Sequence, residues 1–197
     1  KNKNCPGKAK AALIVDLCGN LAILGFFKYT DFVIGSINSI TGAGLSLLHI
    51  ALPIGISFYT FQSIGYLIDV YREKFEPERN PAKYALFVSF FPQLIQGPIS
   101  FYDQLAHQLY AERNFSYKNL KHGTLLMLWG YFKKMVIADR AVSLIQMVAP
   151  DYMQYNGTVI FITVLVYALQ LYADFSGGID ISRGFAEILG IEMAENF

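Results

Sequence analysis

The chain has 197 residues, of which 54% are hydrophobic and 15% aromatic, while only 16% are charged and the net charge is +1. Charge that sparse is unusual for a soluble domain, where about 25% is typical, and the near-zero balance excludes a nucleic-acid binder with a concentrated basic face. A soluble helical protein would struggle to bury so much apolar surface in so short a chain.

The apolar residues fall into runs that alternate with polar connectors. A basic start (Lys1, Lys3, Lys8, Lys10) leads into Ala9–Phe27, interrupted by Asp16 and Asn20. That run ends in Phe26, Phe27 and Lys28-Tyr-Thr-Asp31 and not in a small-residue cleavage site, so it does not read as a secretory signal. Residues 35–46, rich in Ser, Asn, Thr and Gly, read as a loop or interfacial segment. Two cysteines, Cys5 and Cys18, offer no disulfide framework, and Cys18, in mid-run, reads as a buried thiol.

The second run, Ile50–Val70, carries one charge, Asp69, and opens with Pro53, a residue favoured in a first helical turn. Gly55, Ser57, Thr60 and Ser63 are small enough for close helix packing, while Tyr59 and Gln62 could instead line a polar cavity. A solvated loop with Pro77 and Pro81 spans 72–83. The third run, 84–101, has no charge, but Pro92, Gly97 and Pro98 interrupt it. Each proline removes a backbone donor, and non-helical backbone at membrane depth persists only inside protein or beside water. A broken or re-entrant helix and a simple kink both fit.

Residues 103–122 are polar, with Leu105, Leu109 and Tyr110 about a turn apart, as in an amphipathic interfacial helix. The fourth run, 123–137, is apolar as far as Lys133-Lys134, and the fifth, 159–173, is uncharged. A helix needs about 20 apolar residues to cross a bilayer. Four to six membrane helices are therefore expected, some short, tilted or broken, with aromatic residues at the run ends forming interfacial belts. Lys and Arg counts place the N-terminal segment and the 72–83 loop on the cytoplasmic side.

The fifth run ends in Tyr172-Ala-Asp174-Phe-Ser176-Gly-Gly178-Ile-Asp180. Ionisable residues in membrane segments are functional-site candidates, and Gln170, Tyr172, Asp174, Ser176 and Asp180 form the candidate substrate-binding cluster. Gly177-Gly178 is expected to end or break a helix, which would leave Asp180 near a new helix N-terminus as a cap. Positioning a substrate or a catalytic group is the other reading. His49, His107 and His122 lack partners at metal-ligand spacing, and no nucleophile elbow, phosphate loop or dinucleotide fingerprint is present.

The ordered segments LPIGISFYTFQSIGYLIDVYR (52–72), FFPQLIQGPI (90–99), GYFKKMVIADR (130–140) and YALQLYADFSGGIDISRGFAEILGIEMAENF (167–197) resemble the membrane-bound O-acyltransferase family, in its bacterial alginate O-acetylation branch. The resemblance implies an all-α, polytopic transmembrane bundle with short, broken or re-entrant helices. It implies an O-acyltransferase of the bacterial inner membrane that moves an acetyl group from a cytoplasmic thioester, acetyl-CoA, toward an exported polysaccharide. A periplasmic acyltransferase partner and the lipid bilayer complete the implied setting, with no bound cofactor, metal or nucleic acid. The family's catalytic histidine follows the Glu-Asn-Phe segment, beyond Phe197, so no catalytic residue is assigned within residues 1–197. With no initiator Met, and with its last residues inside a continuing segment, the sequence reads as a single membrane-embedded domain, incomplete at the C-terminus. Where relatives more often carry an aromatic residue after Asp-Phe-Ser-Gly, this chain has Gly178. A multi-helix transporter and a non-catalytic scaffold for a periplasmic enzyme remain the alternatives.

Overall fold

The computed structural model describes residues 6–94, 96–98 and 100–195, all helix and connector, with no strand among them. They form two compact units, Lys1–Ile95 with Phe101–Ala106, and Gln96–Ser100 with His107–Phe197. Cys5, Lys1, Lys3, Asn196 and Phe197 lie outside the described residues.

In the first unit α1 runs Pro6–Thr41, 36 residues, or about 54 Å at the helical rise. It absorbs most of the stretch expected to be a loop at 35–46. The polar residues stay helical because their side chains bond back to the preceding turn. The hydroxyls of Thr30, Ser36, Ser39 and Thr41 donate to the carbonyls of Phe26, Phe32, Gly35 and Ile37, and Asn20 Nδ2 donates to Asp16 O, a local alternative to solvent. The loop begins only at Gly42, whose φ is +67°, a conformation that favours glycine. It then returns along α1, where Asp31 accepts from the Leu48 and His49 N–H groups at 2.8 and 3.0 Å. Asn38 brackets Leu45 through both of its backbone groups.

Helix α2 (Ile56–Tyr71) starts three residues after Pro53 and is preceded by Gly55 with φ 77°. A Cβ at Gly55 would lie 2.9 Å from Leu94 O, so the turn admits only glycine. Helix α3 (Pro81–Val88) has proline in its first turn and is capped by Asn80, whose side chain accepts from Ala82 N, as such starts favour. The uncharged third run does not make one span: α3 ends at Val88, a four-residue α4 (Phe91–Leu94) follows, and helix resumes only at α5 (Tyr102–Tyr110). The broken alternative is therefore the one observed. α5 buries Leu105 of the expected apolar face together with Ala106, while Leu109 and Tyr110 are half-buried. Tyr66, Phe75, Tyr84, Phe87 and Tyr102 pack ring on ring with centroids 4.8–5.7 Å apart. Beside them Gln62, 4% exposed, hydrogen-bonds through Nε2 to Gln93 Oε1.

In the second unit α6 (Tyr117–Tyr131), a π-helical segment (Phe132–Ala138) and α7 (Asp139–Val148) form one unbroken rod. After a short 3₁₀ turn at Tyr152–Gln154 comes α8 (Gly157–Ile188), capped by Asn156, whose side chain accepts from Val159 N. Contrary to expectation α8 passes straight through Gly177-Gly178, and it stops at Gly190 (φ +75°), with Ile191 N donating to Ala186 O and Gly190 N to Glu187 O. That is a Schellman ending.

The glycines stay helical because they form a packing seam. Gly123 faces Gly184 and Gly130 faces Gly177, an antiparallel register with both helices repeating glycine every seven residues. A Cβ at Gly130 would lie 2.6 Å from Gly177 O. Glycine inside a helix costs about 0.5–1 kcal/mol relative to Ala, and close backbone approach offsets it.

Two described helices, residues 7–41 and 157–188, are long and apolar enough to cross a bilayer, fewer than the four to six expected. At 16 residues, α2 is short, the third run is broken, and Lys133, Lys134, Asp139 and Arg140 interrupt the α6–α7 rod. Cys18, expected to be buried, is exposed, because α1 has little protein around it.

Candidate functional site

The antiparallel contact of α6 and α8 sets one face of each helix against a pocket of about 230 Å³. From α6 and the π segment it takes Leu126, Trp129 and Lys133, and from α8 Tyr172, Ser176, Ile179, Asp180 and Arg183. These positions recur at three, four and seven residues, the spacing of one helical stripe. Of the expected cluster, Tyr172, Ser176 and Asp180 therefore meet in one site. Gln170 and Asp174 are not among its lining residues.

Asp180 is not a helix cap. It lies mid-helix, with Lys133 Nζ 2.5 Å from Oδ2 and Arg183 Nη1 3.9 Å from Oδ1, and the Lys133 and Asp180 side chains are only 13% and 12% exposed. Burying a lone charge is expensive, whereas a paired and hydrogen-bonded one is tolerated. Lys133 Nζ also donates to Ser176 Oγ at 3.3 Å and lies 6.0 Å from the Trp129 ring centroid. Trp129 in turn stacks on Phe132 at 5.4 Å. The adjacent Lys134 pairs with Asp174, so two neighbouring lysines each meet a carboxylate of α8. The widened turn of a π segment is a frequent feature of functional sites.

Gly178 faces the other way. A Cβ there would collide with the side-chain amide of Gln96, so the amide fills the space that a larger residue at 178 would need. Past the end of α8, Glu195 reaches back to Arg183 Nη2. His122 Nδ1 lies 2.7 Å from Glu187 Oε1, and both side chains are partly exposed.

Sequence reasoning did not single out Trp129, Lys133 or Arg183. The available signal was two lysines interrupting one apolar run and two carboxylates, Asp174 and Asp180, at the end of another. The partner register needed the glycine seam, which seven-residue spacing of Gly123/Gly130 and Gly177/Gly184 encodes.

Chemically, the arrangement suits binding and orienting a polar group. Ser176 accepts a hydrogen bond from an ammonium, and among the described residues no base is placed to activate its oxygen as a nucleophile. The Asp180 oxygens are engaged by two cations. A polar group entering between Trp129 and Tyr172 would meet cations, a hydroxyl and a carboxylate held in fixed positions.

Fold and site together define a helical membrane protein with an oriented polar pocket between antiparallel helices. The chain is similar along nearly its whole length to bacterial proteins named as O-acetyltransferases. It is 36% identical to a peptidoglycan O-acetyltransferase of Helicobacter pylori over 94% of the chain and 40% of that protein. It is 41% and 39% identical to probable alginate O-acetylases of Pseudomonas syringae pv. tomato and Pseudomonas aeruginosa, in each case over 94% of the chain and 35% of the relative. The chain thus spans 35–40% of the length of these curated relatives. No protein-family model matches it.

Proposed function

We propose that this chain is the part of a membrane O-acetyltransferase that positions the reacting groups during acetyl transfer to an exported cell-surface polysaccharide. The observation that carries the reading is the buried Lys133–Asp180 pair with Ser176 and Arg183, set in a chain related along nearly its whole length to proteins named as O-acetyltransferases. In this reading acetyl-CoA on the cytoplasmic side is the donor, and the basic N-terminal segment and the 72–83 loop face the cytoplasm. A histidine beyond Phe197 serves as general base, and a periplasmic acyltransferase receives the acetyl group. The protein resides in the bacterial inner membrane and crosses it several times.

The test uses the full-length protein and labelled acetyl-CoA. Asp180→Asn and Lys133→Met should each lower polysaccharide acetylation by about a hundredfold, since misplacing an oriented group by about 1 Å carries that penalty. Wild-type acetylation at normal membrane abundance in both variants would overturn the role.

A further inference from the structure

The chain leaving α8 is held from the side by one glutamine. Gln108, in the last turn of α5, donates from Nε2 to the Glu192 carbonyl at 2.9 Å and accepts the Glu192 N–H on Oε1 at 2.8 Å. A side-chain amide carries a donor and an acceptor side by side. Gln108 therefore meets both backbone groups of one residue, as a neighbouring strand would. The Glu192 side chain is exposed, while Ile191 and Met193 on either side are buried at 6% and 8% exposure. Two apolar anchors with a clamped residue between them fix the register of this stretch, since a one-residue slip would exchange its buried and exposed sides.

The clamp is itself held. Arg113 Nε and Nη2 both donate to the Gln108 carbonyl, at 3.0 and 2.7 Å. That carbonyl lies at a helix end, where backbone acceptors lack helical partners and a cation is favoured. Gly190 leaves room for the same guanidinium, because a Cβ there would lie 3.0 Å from Arg113 Nη1. Farther along, Glu195 joins Arg183, which lines the pocket and faces Asp180. Residues 190–195 thus form a strap tied at one end to Gln108 and Arg113 and at the other to the pocket. The clamp is not needed to end α8, which closes on its own backbone bonds at Gly190 and Ile191. What it fixes is the course of the chain that follows.

We infer that Gln108 is a positioning residue for acetyl transfer: through the strap it sets where the chain beyond residue 195 stands relative to the Lys133–Asp180 pocket. The inference rests on the acetyl-transfer reading, which puts the general base on that following chain. It is tested on the full-length protein in membrane vesicles with Gln108→Glu, a nearly isosteric change that keeps the acceptor and turns the donor into an oxygen facing the Glu192 carbonyl. Hydrogen exchange at the Glu192 amide should quicken at least about tenfold, the scale of one lost hydrogen bond. For transfer of labelled acetyl from acetyl-CoA to the cell-surface polysaccharide, kcat per folded molecule should fall about tenfold or more, with KM for acetyl-CoA unchanged. A merely structural contact would lower abundance and leave kcat per folded molecule at the wild-type value. Arg113→Lys, with one donor in place of a fork, should move both readouts the same way by less, and it decides the case if Gln108→Glu does not accumulate in folded form. Unchanged exchange in these variants, or quickened exchange with wild-type kcat, overturns the positioning role and leaves the enzyme reading standing. A wild-type protein that transfers no acetyl group removes the enzyme reading and the positioning role together.

Discussion

Lys133 and Asp180 show how this chain tolerates charge in an apolar setting. Each is nearly buried, and each is the other's principal partner at 2.5 Å. Removing one leaves the other desolvated without its principal partner, so Asp180→Ala should destabilise the full-length protein by about 3 kcal/mol, the lower end for a broken buried pair. Replacing both with apolar residues, Lys133→Met with Asp180→Leu, should cost less than the sum of the singles, as thermal unfolding in detergent would show. A sum that is strictly additive contradicts the pairing. A second residue-scale effect lies outside the spanning segments. The backbone N–H of Asn80 holds the Glu78 carboxyl below its ordinary 4.5, with the Tyr102 hydroxyl adding to it. A lowered pKa stabilises the folded form above pH 4.5, and that contribution disappears as pH falls through the folded value. Protection of the Asn80 amide against hydrogen exchange, relative to an unstructured peptide, should therefore drop on acidification, and Glu78→Gln should remove the acid step.

At the scale of elements, the glycine seam sets the separation of α6 and α8. Gly130→Ala would push a methyl group to within 2.6 Å of Gly177 O and 2.8 Å of Ile181 Cγ1. Overpacking of this kind costs about 1–3 kcal/mol. Gly65→Ala in α2, where a Cβ meets nothing within 4 Å, should instead gain up to about 1 kcal/mol from helix propensity. Unfolding midpoints of the two variants should shift in opposite directions. The same seam explains what could and could not be read beforehand. Long apolar runs gave the helices, and Pro92, Gly97 and Pro98 gave the break in the third run. Gly177-Gly178 misled, because local propensity says break while tertiary packing says continue. The loop at 35–46 misled likewise, since its Ser and Thr hydroxyls bond back into α1 instead of opening a turn. Tyr172, Ser176 and Asp180 were legible as a stripe, but Lys133 and Arg183 became site residues only once the antiparallel register was known.

Across the whole molecule, α1 and α8 display large apolar side chains on their outer surfaces, among them Val15, Phe32, Ile40, Phe161 and Val164. Patches of that extent signal contact with lipid or protein and not with water, and the helices exceed the roughly 30 Å of a hydrocarbon core. With Cys18 kept as the only thiol, a water-soluble maleimide should label it slowly in membranes and rapidly after denaturation, since hydrocarbon excludes the reagent from the thiol. Rapid labelling in intact membranes would place α1 outside the bilayer.

The paired glycines also limit how the helices can move. Facing glycines seven residues apart act as detents: sliding α8 along α6 by a residue or two drives a side chain into the opposing backbone, and the next seating lies a full seven residues away, about 10.5 Å. Small longitudinal slips are thereby forbidden. Whatever motion opens or closes the pocket must tilt the two helices or carry them together as one body.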